Sequence, residues 1–169
     1  YYLPFDINGR LKDFIYKGFT NKEFLMLKQV KDECEKVSGG LVFNELPQIK
    51  TIKSINFGEV ATDKIHRLID NNFIISQSQI NRLESGEYEI QKQKFIESAD
   101  FNFIYCAMKN NHTIITEETP ANNNNKLFKK IPTICEMQGI RCESISQLLQ
   151  TRLDINFAIK STKENINSL

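Results

Sequence analysis

One stretch constrains the fold of this chain more than any other: Glu97 to Glu118, ESADFNFIYCAMKNNHTIITEE. Phe101, Ile104, Tyr105 and Met108 recur at i, i+3, i+4 and i+7, so the segment opened by Asp100 predicts a helix with one apolar face. Asn110-Asn111 interrupts that pattern. Thr113-Ile114-Ile115-Thr116 is β-branched throughout, the composition of a buried strand. A helix joined to a strand by two or three residues is half of a βαβ unit. Ligands of open parallel sheets sit outside the carboxyl ends of the strands. Glu117 and Glu118 therefore fall at the edge where function is expected. Asp100, at the start of the preceding helix, is not brought to that edge by this geometry alone.

The remaining chain supports an α/β reading with a small parallel sheet. Leu11, Phe14 and Ile15 predict a short helix from about Arg10 to Lys17, with Gly18 as its stop. Phe24-Leu25-Met26-Leu27 reads either as a buried strand or as the start of a helix. Helical spacing continues through Val30, Glu33, Cys34 and Val37 to Ser38-Gly39-Gly40. Leu41 to Phe57 reads as a loop with one short element. Further helices are expected over Gly58–Asn71, Gln77–Leu83 and Tyr88–Ser98, the last with Gln91, Lys92, Gln93 and Lys94 on a wet face. A low-complexity asparagine run after Pro120 marks a surface loop. Ile131-Pro132 opens a helix that Gly139 closes. Ile140-Arg141-Cys142 reads as a strand, and Ser144 as the cap of a last helix. A single domain over residues 1–159 and a polar tail over 160–169 are expected.

Bulk properties exclude several classes. A net charge of +1 gives no whole-molecule attraction for nucleic acid, so such a partner would need a local basic patch. Cys34, Cys106, Cys135 and Cys142 are widely spaced without a CxxC pair and read as free thiols of a reducing compartment. No apolar run reaches the roughly 18 residues of a membrane span, and no signal peptide is recognised. No membrane association and a cytoplasmic location are the expectations. His66 and His112 lack partners at nucleophile or metal-ligand spacing. No phosphate-binding glycine loop or serine nucleophile elbow is present.

Three carboxylate positions stand beside apolar periodicity: Glu33, Asp100, and Glu117 or Glu118. Each has an ordinary alternative. Glu33 fits a solvated helix face, Asp100 a helix N-cap, and the Glu117-Glu118 pair a polar loop after a strand.

The residues also resemble a known family. Ala99-Asp100 opening a helix, Thr116-Glu117-Glu118-Thr119-Pro120 after a strand, Lys130-Ile131-Pro132, and Gly139-Ile140-Arg141-Cys142 resemble the C-terminal half of PIN-like nucleases, closest to a bacterial PIN-like subfamily. Val30-Lys31-Asp32-Glu33 looks like that family's second acidic helix. Tyr1-Tyr2 and Pro4-Phe5-Asp6-Ile7 are similar to the stretch after its first strand. The likeness covers most of the chain and is weakest between Leu41 and Leu83.

This resemblance implies a PIN-like fold with a small central parallel sheet flanked by helices. It implies a metal-dependent ribonuclease, a toxin of a toxin–antitoxin pair that hydrolyses RNA phosphodiester bonds. Glu33, Asp100 and Glu118 would be its catalytic and metal-binding residues, Glu118 being preferred as the third residue of Thr-x-Glu. Mg²⁺ or Mn²⁺ suits such an all-oxygen set. RNA would contact Lys126, Lys129 and Lys130. An antitoxin protein and a second copy of the chain are the candidate protein partners. The family's first strand ends in Asp-x-Asn. Either Asp6-Ile7-Asn8 is that motif, which makes Asp6 a further metal ligand, or the strand lies upstream of Tyr1. The departure leaves an alternative: a PIN-like module without catalysis, serving in binding.

Overall fold

The structure is a computed structural model that describes residues 6, 8–56, 62–120 and 126–153. Positions 58–61 of the helix expected over Gly58–Asn71, the asparagine run, the end of the domain and the polar tail lie outside the described residues.

The apolar helix read from the sequence is α8, Ala99–Asn110, and it runs through the main core. Its stripe is buried as the spacing requires: Phe101, Ile104 and Tyr105 are inside, with Met108 packed against the cluster. Ser98, not Asp100, is its cap: the Ser98 Oγ accepts from the Phe101 N–H at 3.2 Å. Asn111 ends the helix with φ 54°, a left-handed conformation that asparagine tolerates. The His112 N–H then returns to the Ala107 carbonyl at 3.0 Å, the closing bond of a Schellman turn.

The chain emerges as β1, Ile114–Ile115, which pairs in parallel with β2, Cys142–Glu143. Ile114 is in register with Cys142 and Ile115 with Glu143. The expected strands Thr113–Thr116 and Ile140–Cys142 are thus shorter, and the second begins later. The crossover between them runs through α9, Ile131–Gln138, which has a proline in its first turn and closes on Gly139 at φ 65°. Helix α10, Ile145–Leu153, follows β2. Ser144 caps it reciprocally: the Gln147 N–H donates to the Ser144 Oγ at 3.2 Å, and the Ser144 N–H to the Gln147 Oε1 at 2.8 Å. That capping box satisfies two backbone donors at once. The described chain is mostly helical with this small parallel sheet, a general α/β arrangement.

Around α8 pack α5 (Asp63–Asn72), α7 (Glu87–Glu97) and α9, burying Ile65, Ile69, Phe73, Ile96, Ile134 and Cys135 with Ile114 of β1. Each such side chain contributes about 1.5–3 kcal/mol relative to exposure. Phe73, Phe95 and Phe101 meet edge-on or tilted, and Phe128 stacks on Phe95 with centroids 4.3 Å apart. Ile74 forms an antiparallel bridge with Phe128, which ties the segment before α9 to the end of α5. A short helix α6, Gln77–Ile80, follows that bridge and stops three residues before the expected end.

A second cluster of Met26, Phe43, Leu46 and Ile49 holds the N-terminal helices together. These are α1 (Arg10–Thr20), α2 (Lys28–Lys36), a 3-10 turn (Val37–Gly39), α3 (Leu41–Glu45) and α4 (Pro47–Lys50). Three expectations are corrected here. Helix α1 does not stop at Gly18, which is buried within it. The absent side chain lets the Phe24 ring lie against the helix, and a Cβ there would overlap that ring. Phe24–Leu27 is neither strand nor helix start: it is a connection from which Leu27 makes a parallel bridge to Ile55. Leu41–Phe57 contains two short helices, broken where Pro47 begins the second.

The wet face expected on α7 is also corrected at one residue. Lys92 is buried, with its ammonium donating to Asp70 of α5 at 3.1 and 3.3 Å and to Glu89 at 3.0 Å. It also lies 4.8 Å from the centroid of the Tyr88 ring. Two carboxylates and a π-face replace the water it gives up. All four cysteines are free; Cys106 and Cys135 are buried, Cys34 and Cys142 half-buried. No helix among the described residues is long and apolar enough to cross a membrane.

Candidate functional site

The carboxyl end of β1 carries the two adjacent acids, and each serves a different helix. The Glu117 Oε1 accepts from the Ile145 N–H at 2.8 Å at the start of α10. The Glu118 Oε2 accepts from the Ile131 N–H at 3.1 Å at the start of α9. Helix starts have backbone donors without intrahelical partners and the positive end of the helix dipole, so a carboxylate is favoured at both. The Thr116 Oγ1 accepts from the Glu118 N–H at 3.1 Å and fixes the turn between the strand and these acids. Beyond it, the Thr133 hydroxyl donates to the Pro120 carbonyl at 3.1 Å.

Asp100 lies in the first turn of α8 and faces this edge electrostatically. Its carboxyl titrates above the usual range, first because the surrounding protein desolvates it and then because Glu118 repels its charge; Lys126 opposes both. Asp100 is exposed by area, so the packed side of the carboxyl, not full enclosure, produces the shift. The same Glu118 charge reaches Cys142 in β2, whose thiol is pushed up mainly by burial. Asp100, Glu118 and Lys126 are thus brought into one neighbourhood.

The other expected ligands are not brought there. Glu33 is exposed on α2, where its charge acts on the neighbouring Cys34 thiol. Asp6 is occupied at the start of α1: its Oδ1 accepts from the Leu11 N–H at 3.0 Å and its Oδ2 from the Lys12 N–H at 2.9 Å. Burial pushes the Asp6 carboxyl up, but those bonds and the Lys12 charge together hold it below the ordinary value. Among the described residues no group of three or more His, Cys, Asp or Glu side chains could hold a metal ion.

The three lysines also divide. Lys126 is exposed beside Asp100. Lys129 is committed to the fold, its ammonium donating to the Asn72 carbonyl at 2.8 Å and contacting the Met137 sulfur at 3.2 Å. Lys130 is the residue from which α9 starts.

The arrangement defines a mostly helical α/β protein with a paired acidic edge beside a short parallel sheet. The chain belongs to the family described as Domain of unknown function (DUF4411), whose model matches residues 1–157. No curated protein and no solved structure matches it.

Proposed function

We propose that the Asp100–Glu118 edge binds Mg²⁺ or Mn²⁺ and that the chain is a metal-dependent ribonuclease of PIN type. The observation that carries this reading is the electrostatic opposition of the two carboxylates, with Glu118 disfavouring the charge of Asp100. A divalent cation relieves that repulsion, since it favours both charged forms at once. Two carboxylates fit Mg²⁺ in particular, which keeps several waters and commonly takes only one or two protein carboxylates beside a substrate phosphate. The cation would supply an activated water and neutralise charge on the phosphate. Asp100 and Glu118 would hold it, and Lys126 would attract the RNA backbone. The same reading takes an antitoxin as the neutralising partner, a homodimer as the assembly and the cytoplasm as the location. The resemblance of the 99–142 segment to PIN-like nucleases supports it.

A second reading, a binding module without catalysis, is favoured by Asp6 and Glu33. One is committed to capping α1 and the other stands exposed on α2, so neither is seen to complete the acidic pair.

Purified chain incubated with single-stranded RNA and Mn²⁺ separates the two. The nuclease reading expects cleavage that chelation stops and that falls to background in Asp100→Asn. Equal cleavage by both proteins, or none by either, rejects it.

A further inference from the structure

The aromatic pair at the edge of the main core is not absorbed by the carboxylate site. Phe128 stacks on Phe95 nearly parallel, with planes 12° apart. Phe95 is backed in turn by Phe73 and Phe101. Both stacked rings line a surface cavity of ≈ 480 Å³ together with Ile90, Gln91 and Lys94. Both are half-buried, so the stack is supported on its inner side and reaches solvent at the cavity. Ile90 is 58% exposed, an apolar wall left facing water. Glu87, the acid in the lining, is held by the Gln91 amide at 2.9 Å and the Glu84 N–H at 3.1 Å. Lys94 is exposed and forms no ion pair among the described residues.

We propose that this cavity is a base-stacking subsite for single-stranded RNA, with one nucleobase extending the Phe95–Phe128 stack and Lys94 meeting the adjoining phosphate. A stack already built with parallel planes accepts another planar ring without rearrangement, and every base offers such a face. The lining holds one cation, Lys94, and one acid, Glu87, whose two oxygens are both taken by hydrogen bonds, which leaves Lys94 as the group free to meet a phosphate. The chain itself links the cavity to the acidic edge. Phe128 sits in extended backbone paired with Ile74, two residues after Lys126, the lysine that acts on Asp100. Leu127 between them is at a bend, so Phe128 and Lys126 lie closer than the roughly 7 Å that two extended residues span. This inference deepens the nuclease reading and rests on it for the choice of RNA.

The test uses the full chain in EDTA, so that binding is read without cleavage. The probes are a labelled octauridylate and an abasic ribose-phosphate octamer of the same charge. Wild type is expected to bind the base-bearing probe about tenfold more tightly. Phe128→Leu keeps the apolar packing but removes the ring, and is expected to abolish that preference while retaining the wild-type melting temperature within a few degrees. Lys94→Gln should weaken both probes alike and lower the salt dependence. Equal affinity of wild type for the two probes, no binding of either, or an unchanged preference in Phe128→Leu overturns the subsite. Base-dependent binding without Mn²⁺-dependent cleavage keeps the subsite and rejects the nuclease; cleavage without base preference does the reverse.

Discussion

Lys92 and Asp70, 22 residues apart, form a pair in which one partner is inside the protein and the other is not. The lysine side chain is 5% exposed and the aspartate 39%. The Tyr88 hydroxyl donates to the same Asp70 oxygen, so α5 and α7 are joined through one carboxylate. Removing that carboxylate leaves a buried ammonium with Glu89 as its one remaining carboxylate, beside the Tyr88 ring. Asp70→Ala is expected to destabilise by about 1–2 kcal/mol, less than for a fully enclosed pair because the aspartate is half in water. Lys92→Met keeps the unbranched stem and removes the charge, and should cost about 1 kcal/mol or less. Urea midpoints of the two variants check the order; Lys92→Met as the worse of the two would refute it.

Gly18 gives a prediction whose sign is informative. A glycine in an open helix interior gains about 1 kcal/mol on replacement by alanine. Here the new Cβ would overlap the Phe24 ring, and overpacking costs about 1–3 kcal/mol. Gly18→Ala is therefore expected to lower the melting temperature, and Phe24→Leu in the same chain to restore part of the loss. A rise in the single variant would show that α1 and Phe24 are not in contact.

Asp100 predicts a pH dependence. Its carboxyl titrates above the ordinary value in the folded chain, so the folded state binds the more protons between the unfolded and folded pKa. Stability from this group falls as pH rises through that window and stays reduced above it. Asp100→Asn removes the loss, so it should be more stable than wild type at neutral pH, with the gain vanishing below the unfolded value near 3.8. Thermal melts from pH 3 to 8 test this. On the proposed function, Mn²⁺ should raise the wild-type melting temperature and leave Asp100→Asn unmoved, because only a ligand of the folded state stabilises by linkage.

Glu118 links two effects that substitutions separate. Glu118→Gln keeps an oxygen for the Ile131 N–H and removes the charge, so Asp100 should titrate lower while stability changes little. Glu118→Ala removes the acceptor as well and should cost about 1 kcal/mol, as the loss of a helix cap does. Carboxyl NMR titration of Asp100 and chemical denaturation read the two effects; an unmoved Asp100 in Glu118→Gln would end the coupling.

The elements legible in the sequence are those specified by neighbours along the chain. The i, i+3, i+4, i+7 stripe of α8 gave its buried face, the β-branched 113–116 run gave a strand, and Ser144 gave a cap. Features decided at a distance were not legible. Nothing local marks Lys92 as buried, because its main partner lies 22 residues back. Gly18 reads as a helix stop unless the Phe24 ring is known to need its space. Pro47 restarts a helix inside a stretch whose short apolar runs look like loop. At the site, the edge position of Glu117 and Glu118 followed from the strand, but their bonds to Ile145 and Ile131, 28 and 13 residues away, did not. Asp100 was singled out as a candidate site carboxylate with a helix N-cap as its ordinary alternative; the cap is Ser98, and the Asp100 carboxyl is repelled by the Glu118 charge.

The segment between Pro120 and Lys126 is moored independently on both banks: Thr133 holds the carbonyl of Pro120, and Ile74 holds the backbone at Phe128. Each bank therefore keeps its own tie to the fold, so a substitution that cuts the Thr133–Pro120 bond leaves the Ile74–Phe128 bridge in place.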